Sequence, residues 1–218
     1  PNAFAAITSK GSVVAWGAEG TGGDTSGLMD EDLDASVSPV REIYSNMSSF
    51  AALRADGAVV TWGFSSFGGN SSSVANKIYN TSHTDFEAVT SIVATGSAYA
   101  AIRADGSVIT GGNALDGGDS SSVASEIDGG TAVHDVVQVY ATTSAFAALR
   151  ADGSVVTWGD AANGGNSSDV ASEINGTVDV TSIYSTNNAF AALRTDGKVI
   201  TWGASNSGGD SSSVASKI

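Results

Sequence analysis

The chain has 218 residues, and its 23 Asp and Glu against nine Lys and Arg give a formal net charge of −14. Such a surface repels phosphate backbones and anionic lipid, which sets nucleic acid and membrane surfaces aside as partners. There is no cysteine, so disulfides, thiolate chemistry and cysteine-ligated metals are excluded, and no apolar run reaches the roughly 18 residues of a spanning helix.

The chain opens at Pro1 without a charged-then-apolar leader, which reads as a processed product or an excerpt of a longer chain. A hairpin phrase comes at once, Phe4–Gly17 (FAAITSKGSVVAWG), and it returns as Phe50–Gly63, Tyr99–Gly112, Phe146–Gly159 and Phe190–Gly203. Successive copies start 46, 49, 47 and 44 residues apart. A period of that size means one supersecondary unit copied in tandem, a propeller or a solenoid. The repeat runs end to end, so residues 1–218 read as a single repeat domain.

Each hairpin turns at Asp-Gly: Asp56-Gly57, Asp105-Gly106, Asp152-Gly153 and Asp196-Gly197. This dipeptide predicts a two-residue type I′ turn with both residues at positive φ. The first copy has Lys10-Gly11 instead, which places Lys10 in the strained position. In the second copy a two-residue turn pairs Leu53 with Val60 and Ala51 with Trp62 on one wholly apolar face. On that reading Trp16, Trp62, Trp158 and Trp202 are core pillars repeated from unit to unit.

After each later hairpin comes a glycine-pair phrase: Gly68–Val74, Gly117–Val123, Gly164–Val170 and Gly208–Val214, with a diverged form from Gly22-Gly23-Asp24. The glycines permit a tight reversal, and Asp or Asn followed by serines signals a capped helical turn. Val123 and Ile127 would share one face of that short helix. Upstream strands precede four hairpins, at Glu42–Ser45, Ser91–Ala94, Gln138–Ala141 and Ser182–Ser185. Each unit thus comprises about three strands and a capped turn, with room for a fourth strand. The last residues, Ser216-Lys217-Ile218, stop where another upstream strand would begin. Either the ends meet and close a ring with one strand missing, or the chain is a window on a longer array.

The run Val180-Thr181-Ser182-Ile183, then Ala192-Leu193, Asp196-Gly197, Val199 and Trp202-Gly203, resembles the regulator of chromosome condensation repeat. The likeness extends over nearly the whole chain. It implies a β-propeller of about five short blades in place of the alternative, an open β-solenoid segment. The chain departs from the family where Phe50, Tyr99, Phe146 and Phe190 replace a usual histidine, and where the Gly-Gln-Leu-Gly loop is reduced to a glycine pair. The family's founding activity, nucleotide exchange on a small GTPase with chromatin docking, has no matching residues here. What the resemblance implies is a protein-interaction platform of the kind found in large secreted bacterial and algal proteins.

Little else suggests chemistry. His83 and His134 are the only histidines and stand in dissimilar contexts; no Ser–His–acid spacing recurs, so no catalytic residues are assigned and the chain reads as a non-enzyme. Asp24, Asn70, Asp119, Asn166 and Asp210 share one repeat position before hydroxyls. Capping explains them, and calcium bound through Asp24, Asp119 and Asp210 is the alternative; no other cofactor is expected. Arg54, Arg103, Arg150 and Arg194 share a hairpin position, where they pair with neighbouring acids or present a stripe to an anionic ligand or a partner's carboxylates. Gly111 replaces the tryptophan of the third copy. The void is repacked locally, or it admits a ligand or a partner's side chain. Sequons occur at Asn46, Asn70, Asn80, Asn166 and Asn175.

The sequence therefore reads as an acidic, all-β structural or protein-interaction module, extracellular or at the cell surface, or as an accessory subunit of a larger assembly. Its partners are other proteins or further copies of itself, with no nucleic acid and no membrane insertion. Recognition would fall in the loops Ala18–Arg41 and Tyr79–Val89, which break the repeat. The alternatives are a glycan- or calcium-dependent binding module and a regulator resembling a GTPase exchange factor.

Overall fold

A computed structural model describes residues 2–26, 28, 33–79, 84–130, 135–215 and 217. The chain divides into two compact units, Pro1–Ala104 with Ile109–Asn113, and Asp105–Val108 with Ala114–Ile218. Fourteen strands among the described residues form five small antiparallel sheets, the blades of a propeller-type tandem repeat. The first blade has two strands, β1 (Ala3–Ile7) and β2 (Val13–Gly17). The others have three each, in order along the chain. They are β3 (Val40–Ser45), β4 (Ser49–Arg54) and β5 (Val59–Gly63); then β6 (Val89–Ala94), β7 (Ala98–Arg103) and β8 (Val108–Gly112). In the second unit β9 (Val136–Ala141), β10 (Ala145–Arg150) and β11 (Val155–Gly159) precede β12 (Val180–Ser185), β13 (Ala189–Arg194) and β14 (Val199–Gly203). In every three-stranded sheet the middle strand of the three in sequence is also central in space. The four upstream strands start two residues before the segments expected from sequence.

The hairpin register differs by one residue from the two-residue-turn reading. Leu53 pairs with Val59, Ala52 with Val60, Ala51 with Thr61 and Phe50 with Trp62. The turn is longer: Gly57 N–H donates to Arg54 O at 3.0 Å and Arg54 N–H to Ala58 O at 2.9 Å. This is a type I turn followed by one left-handed glycine, the common three-residue hairpin loop. Only Gly57 has positive φ, +82°, and no described non-glycine residue does. Lys10 is accordingly unstrained. The Asp56 carboxylate accepts the Ala58 N–H at 3.0 Å, which holds Asp56 in an ordinary turn conformation.

A one-residue slip exchanges the faces of the hairpin. Phe50 and Trp62 therefore lie together, stacked with ring centroids 5.3 Å apart, on the same face as Ala52 and Val60. That face packs on Ala3, Ala5 and Val13 of the first blade. The other face, Ala51, Leu53 and Val59, packs on Tyr99 and Ala101 of the third. In the second unit Ala147 and Leu149 likewise meet Phe190, Ala192, Ile200 and Trp202. Within each unit, alanines on one blade leave room for the ring pair of the next, so neighbouring sheets nest closely.

Each upstream strand carries a bulge, for instance between Val180 and Ser182. Val180 and Ile183 are three apart, yet both are buried in one core, because the extra residue restores them to a common side. The helical turns are mostly 3₁₀, as at Ser121–Glu126, with Ile127 buried at its end; among the described residues one short α-helix, Ala75–Ile78, lies between β5 and β6 in the first unit.

Candidate interaction surface

The feature that organises each junction is a glycine against an aromatic pair. After a hairpin, the chain makes a 3₁₀ turn and reaches a glycine in the left-handed region: Gly22, Gly68, Gly117 and Gly164, at φ +96°, +90°, +95° and +102°. A methyl group on Gly22 would stand 2.6 Å from Phe50 Cδ2, and one on Gly164 would stand 2.6 Å from Phe190 Cδ2. Gly68 meets Tyr99 and Gly117 meets Phe146 in the same way. The indole then bonds the glycine carbonyl. Trp62 Nε1 donates to Gly22 O at 3.0 Å, Trp158 Nε1 to Gly117 O at 3.0 Å and Trp202 Nε1 to Gly164 O at 3.1 Å. The tryptophans are thus pillars that carry a polar latch, and three of them are buried, at 3, 2 and 4% exposure.

Trp16 departs from the core role read from sequence. It stacks on Phe4 with centroids 5.5 Å apart, yet Trp16 is 52% and Phe4 67% exposed. The physical reason is that, among the described residues, no glycine loop covers that face as Gly22 covers Phe50 and Trp62. The hairpin phrase, nearly the same in the copies that carry tryptophan, gives no sign of this difference.

The four arginines are engaged within the fold. Arg54 is buried; its NH2 bonds Asp56 Oδ2 at 2.7 Å and its guanidinium lies over the Tyr79 ring. Arg150 bonds Asp152 at 3.3 Å and Ser154 Oγ at 2.7 Å. Arg194 spans Glu173 at 3.1 Å and Asp196 at 2.7 Å, and Arg103 donates to Asp85 O at 3.0 Å. Arg54, Arg150 and Arg194 therefore each brace their own hairpin through its turn aspartate. Asp152 shows the balance: desolvation pushes its carboxyl up, but bonds from Ser154 and Arg150 leave it lowered overall.

At the other shared position, Asn70, Asp119, Asn166 and Asp210 each accept the backbone N–H two residues on, at 2.8–2.9 Å, at the start of a 3₁₀ turn. Asp24 does the same with Ser26 N–H, at 2.8 Å. The Ser121 N–H and hydroxyl hold the Asp119 carboxyl below its usual range, and Ser212 does so for Asp210. Ser26 lowers Asp24, its hydroxyl more than its N–H. Among the described residues no three His, Cys, Asp or Glu lie together as a metal-binding group. His83 and His134 lie outside the described residues, as do Asp30, Glu31 and Asp32 of the acidic run and the Asn80 sequon. Asn46 is buried, with its amide donating to Phe67 O.

Gly111 stands where the other copies have tryptophan, and a methyl group there would meet no atom of the described residues within 4 Å. Tyr99 takes over part of the lost polar role. Its hydroxyl reaches the previous blade and donates to Ser49 O at 2.7 Å, and burial pushes the phenol pKa up.

These blades, with their three-stranded hairpin units and glycine loops, define an all-β tandem repeat of the propeller class. No family model matches the sequence, and no curated protein matches it either. Among solved structures, it is similar to Prp20p of Saccharomyces cerevisiae at a TM-score of 0.54 and 17% identity, covering 92% of this chain and 55% of that one. Human WBSCR16 matches at 0.52 and 19%, with 92% and 59% covered. The ectodomain of the Physcomitrella patens receptor kinase CR4 matches at 0.51 and 18%, with 93% and 48% covered. The chain spans about half the length of these structures. Its fold is that of the regulator of chromosome condensation repeat, an RCC1-like repeat fold.

Proposed function

We propose that the chain is a non-enzymatic protein-interaction module, acting in a secreted or surface-exposed setting or as an accessory subunit of a larger assembly. The observation that carries this reading is the exposed apolar face of the first blade. Phe4, Val14 and Trp16 all stand at least half exposed on a rigid two-stranded sheet. Large aromatic side chains left in water on a fixed frame mark a surface made for another macromolecule. The repeating charged groups, in contrast, are spent inside the turns that build the frame. Structures of the same fold include one of Kap60 bound to yeast RCC1 and one concerned with Prp20p binding to Gsp1p and histones. Those partners belong to those proteins, and the acidic charge of this chain opposes a chromatin partner. The lysine-poor, acidic composition supports an extracellular or surface setting.

Native mass spectrometry of the protein purified from its natural source tests the reading. The expected result is the chain held within a larger species, covalent or not. A lone 218-residue chain under native conditions would overturn it.

A further inference from the structure

The chain contains two Asn-Gly steps, Asn163-Gly164 and Asn175-Gly176, and the fold treats them oppositely. Glycine has no Cβ to hold its backbone nitrogen away from the preceding side-chain amide, so either step can close on itself by local chemistry. At Asn163 the side chain is tied at both ends. Its Nδ2 donates to Asp160 Oδ2 at 3.1 Å, and its Oδ1 accepts from Asn188 Nδ2. Gly164 is buried against the Phe190 ring, and its carbonyl accepts the Trp202 indole N–H. Ring closure there would break both side-chain bonds inside the junction of two blades.

Asn175 is exposed, and among the described residues its side chain has one partner. Its Oδ1 accepts the Thr177 N–H at 2.9 Å. That oxygen takes the negative charge when a nitrogen adds to Cγ, so the Thr177 N–H already stands where an oxyanion donor is needed. The Nδ2, the group that would leave, is held by no hydrogen bond among those residues.

The third repeat shows which product the turn accepts. Asp128-Gly129 occupies the place of Asn175-Gly176: Val108 N–H donates to Ile127 O and Val155 N–H to Ile174 O, both at 2.9 Å. Gly129 and Gly176 have φ +65° and +81°. A methyl on Gly129 would stand 2.5 Å from Asp105 O, and one on Gly176 would stand 2.7 Å from Asp152 O. The same turn therefore carries a carboxylate in one repeat and an amide in the next.

We propose that Asn175 is a self-modifying site, where the folded chain converts its own amide to aspartate and isoaspartate. The Gly176 nitrogen gives its proton to solvent and attacks Asn175 Cγ, forming a C–N bond. The Cγ–Nδ2 bond then breaks, and ammonia leaves with a proton from water. Water opens the succinimide that remains. Addition at Cγ restores the ordinary backbone with aspartate, the residue that Asp128 supplies in the third repeat. Addition at the Asn175 carbonyl carbon leaves isoaspartate, whose backbone runs through Cγ and is one carbon longer. The sum is amide plus water to carboxylate plus ammonium, with nothing oxidised or reduced. The longer backbone has to fit a turn seated too closely on Asp152 O to admit a methyl. It therefore loosens Ile174, which is 1% exposed in the core joining the two blades of the second unit.

The test keeps the folded 218-residue chain for weeks in mildly alkaline buffer, well below its melting temperature. Peptide mapping follows, with cleavage after Glu173 separating the two sites. The expected result is a gain of about 1 Da at Asn175, together with ammonia and isoaspartate released or formed in step. Asn163 should react at least about tenfold more slowly, and unfolding the chain in urea should bring the two rates together. An Asn175 that keeps its amide in the folded chain, or reacts no faster than Asn163, overturns the proposal. So does a preference for Asn175 that persists unchanged in urea, because the fold would then select nothing. Asn175→Asp should melt with the parent, as the Asp128 turn implies, whereas chain enriched in isoaspartate should melt about 2–4 °C lower. Equal melting of the two would refute the loosened Ile174 anchor.

Discussion

Restoring the missing tryptophan with Gly111→Trp should stabilise the third blade. A methyl at Gly111 is unobstructed, and the Gly111 carbonyl lies 3.5 Å from the position a methyl on Gly68 would occupy. An indole here would stack on Tyr99, as Trp62 does on Phe50, and its N–H would find the Gly68 carbonyl. Burying an indole of about 200 Å² at about 25 cal/mol/Å² gives roughly 5 kcal/mol. A compact unfolded state removes about a quarter of that, and ordering the side chain removes about another 1 kcal/mol. The latch adds about 1 kcal/mol, but an imperfectly shaped site takes back as much or more. A net gain of about 2–3 kcal/mol is expected, or about 4–12 °C in Tm if the chain melts cooperatively. Calorimetry and urea titration measure it. Gly111→Ala is the control, worth about 1 kcal/mol or less through the backbone alone. If Gly111→Trp gains no more than the alanine, or loses stability, neighbouring side chains already fill the space and the reasoning fails.

Four further outcomes follow from the same geometry. Arg150 Nε bonds Ser154 Oγ, whereas the buried Arg54 Nε has no partner among the described residues and Ala58 occupies the serine's position. Ala58→Ser should therefore stabilise the second blade by about 1 kcal/mol in urea titration. Gly117→Ala sets a methyl 2.5 Å from the Phe146 ring at φ +95°, so it should cost about 1–3 kcal/mol and lower Tm. The Asp119 carboxyl is held below its ordinary value of 3.8, so its contribution is present above that pH and is lost as pH falls through the lowered value. Asp119→Asn keeps the acceptor, as Asn70 and Asn166 do naturally, so it should match the parent at pH 7 and fall less on acidification; equal acid slopes would contradict this. Removal of divalent ions with EDTA should leave Tm unchanged, because hydrogen bonds to backbone N–H groups already occupy Asp24, Asp119 and Asp210; a fall in Tm would restore calcium.

Local features were legible in the chain alone. Five copies of one phrase fixed the number of hairpins, and each glycine pair marked a loop. The Asp or Asn before the serines marked a turn whose N–H it accepts. These follow from φ preferences and hydrogen bonds spanning a few residues, which any chain with those letters satisfies. Tertiary structure decided the rest. Asp-Gly serves two hairpin turns that differ by one residue, and only packing on the neighbouring blade selects the register that pairs Phe50 with Trp62. Arg54 and Arg194 read as a surface stripe until the fold brings their turn aspartates, and for Arg194 also Glu173, against them. Trp16 and Trp62 sit in nearly the same phrase, yet one is half in water and the other is buried. The difference lies in whether a glycine loop from another repeat arrives to cover the ring, and burial is a property of that meeting.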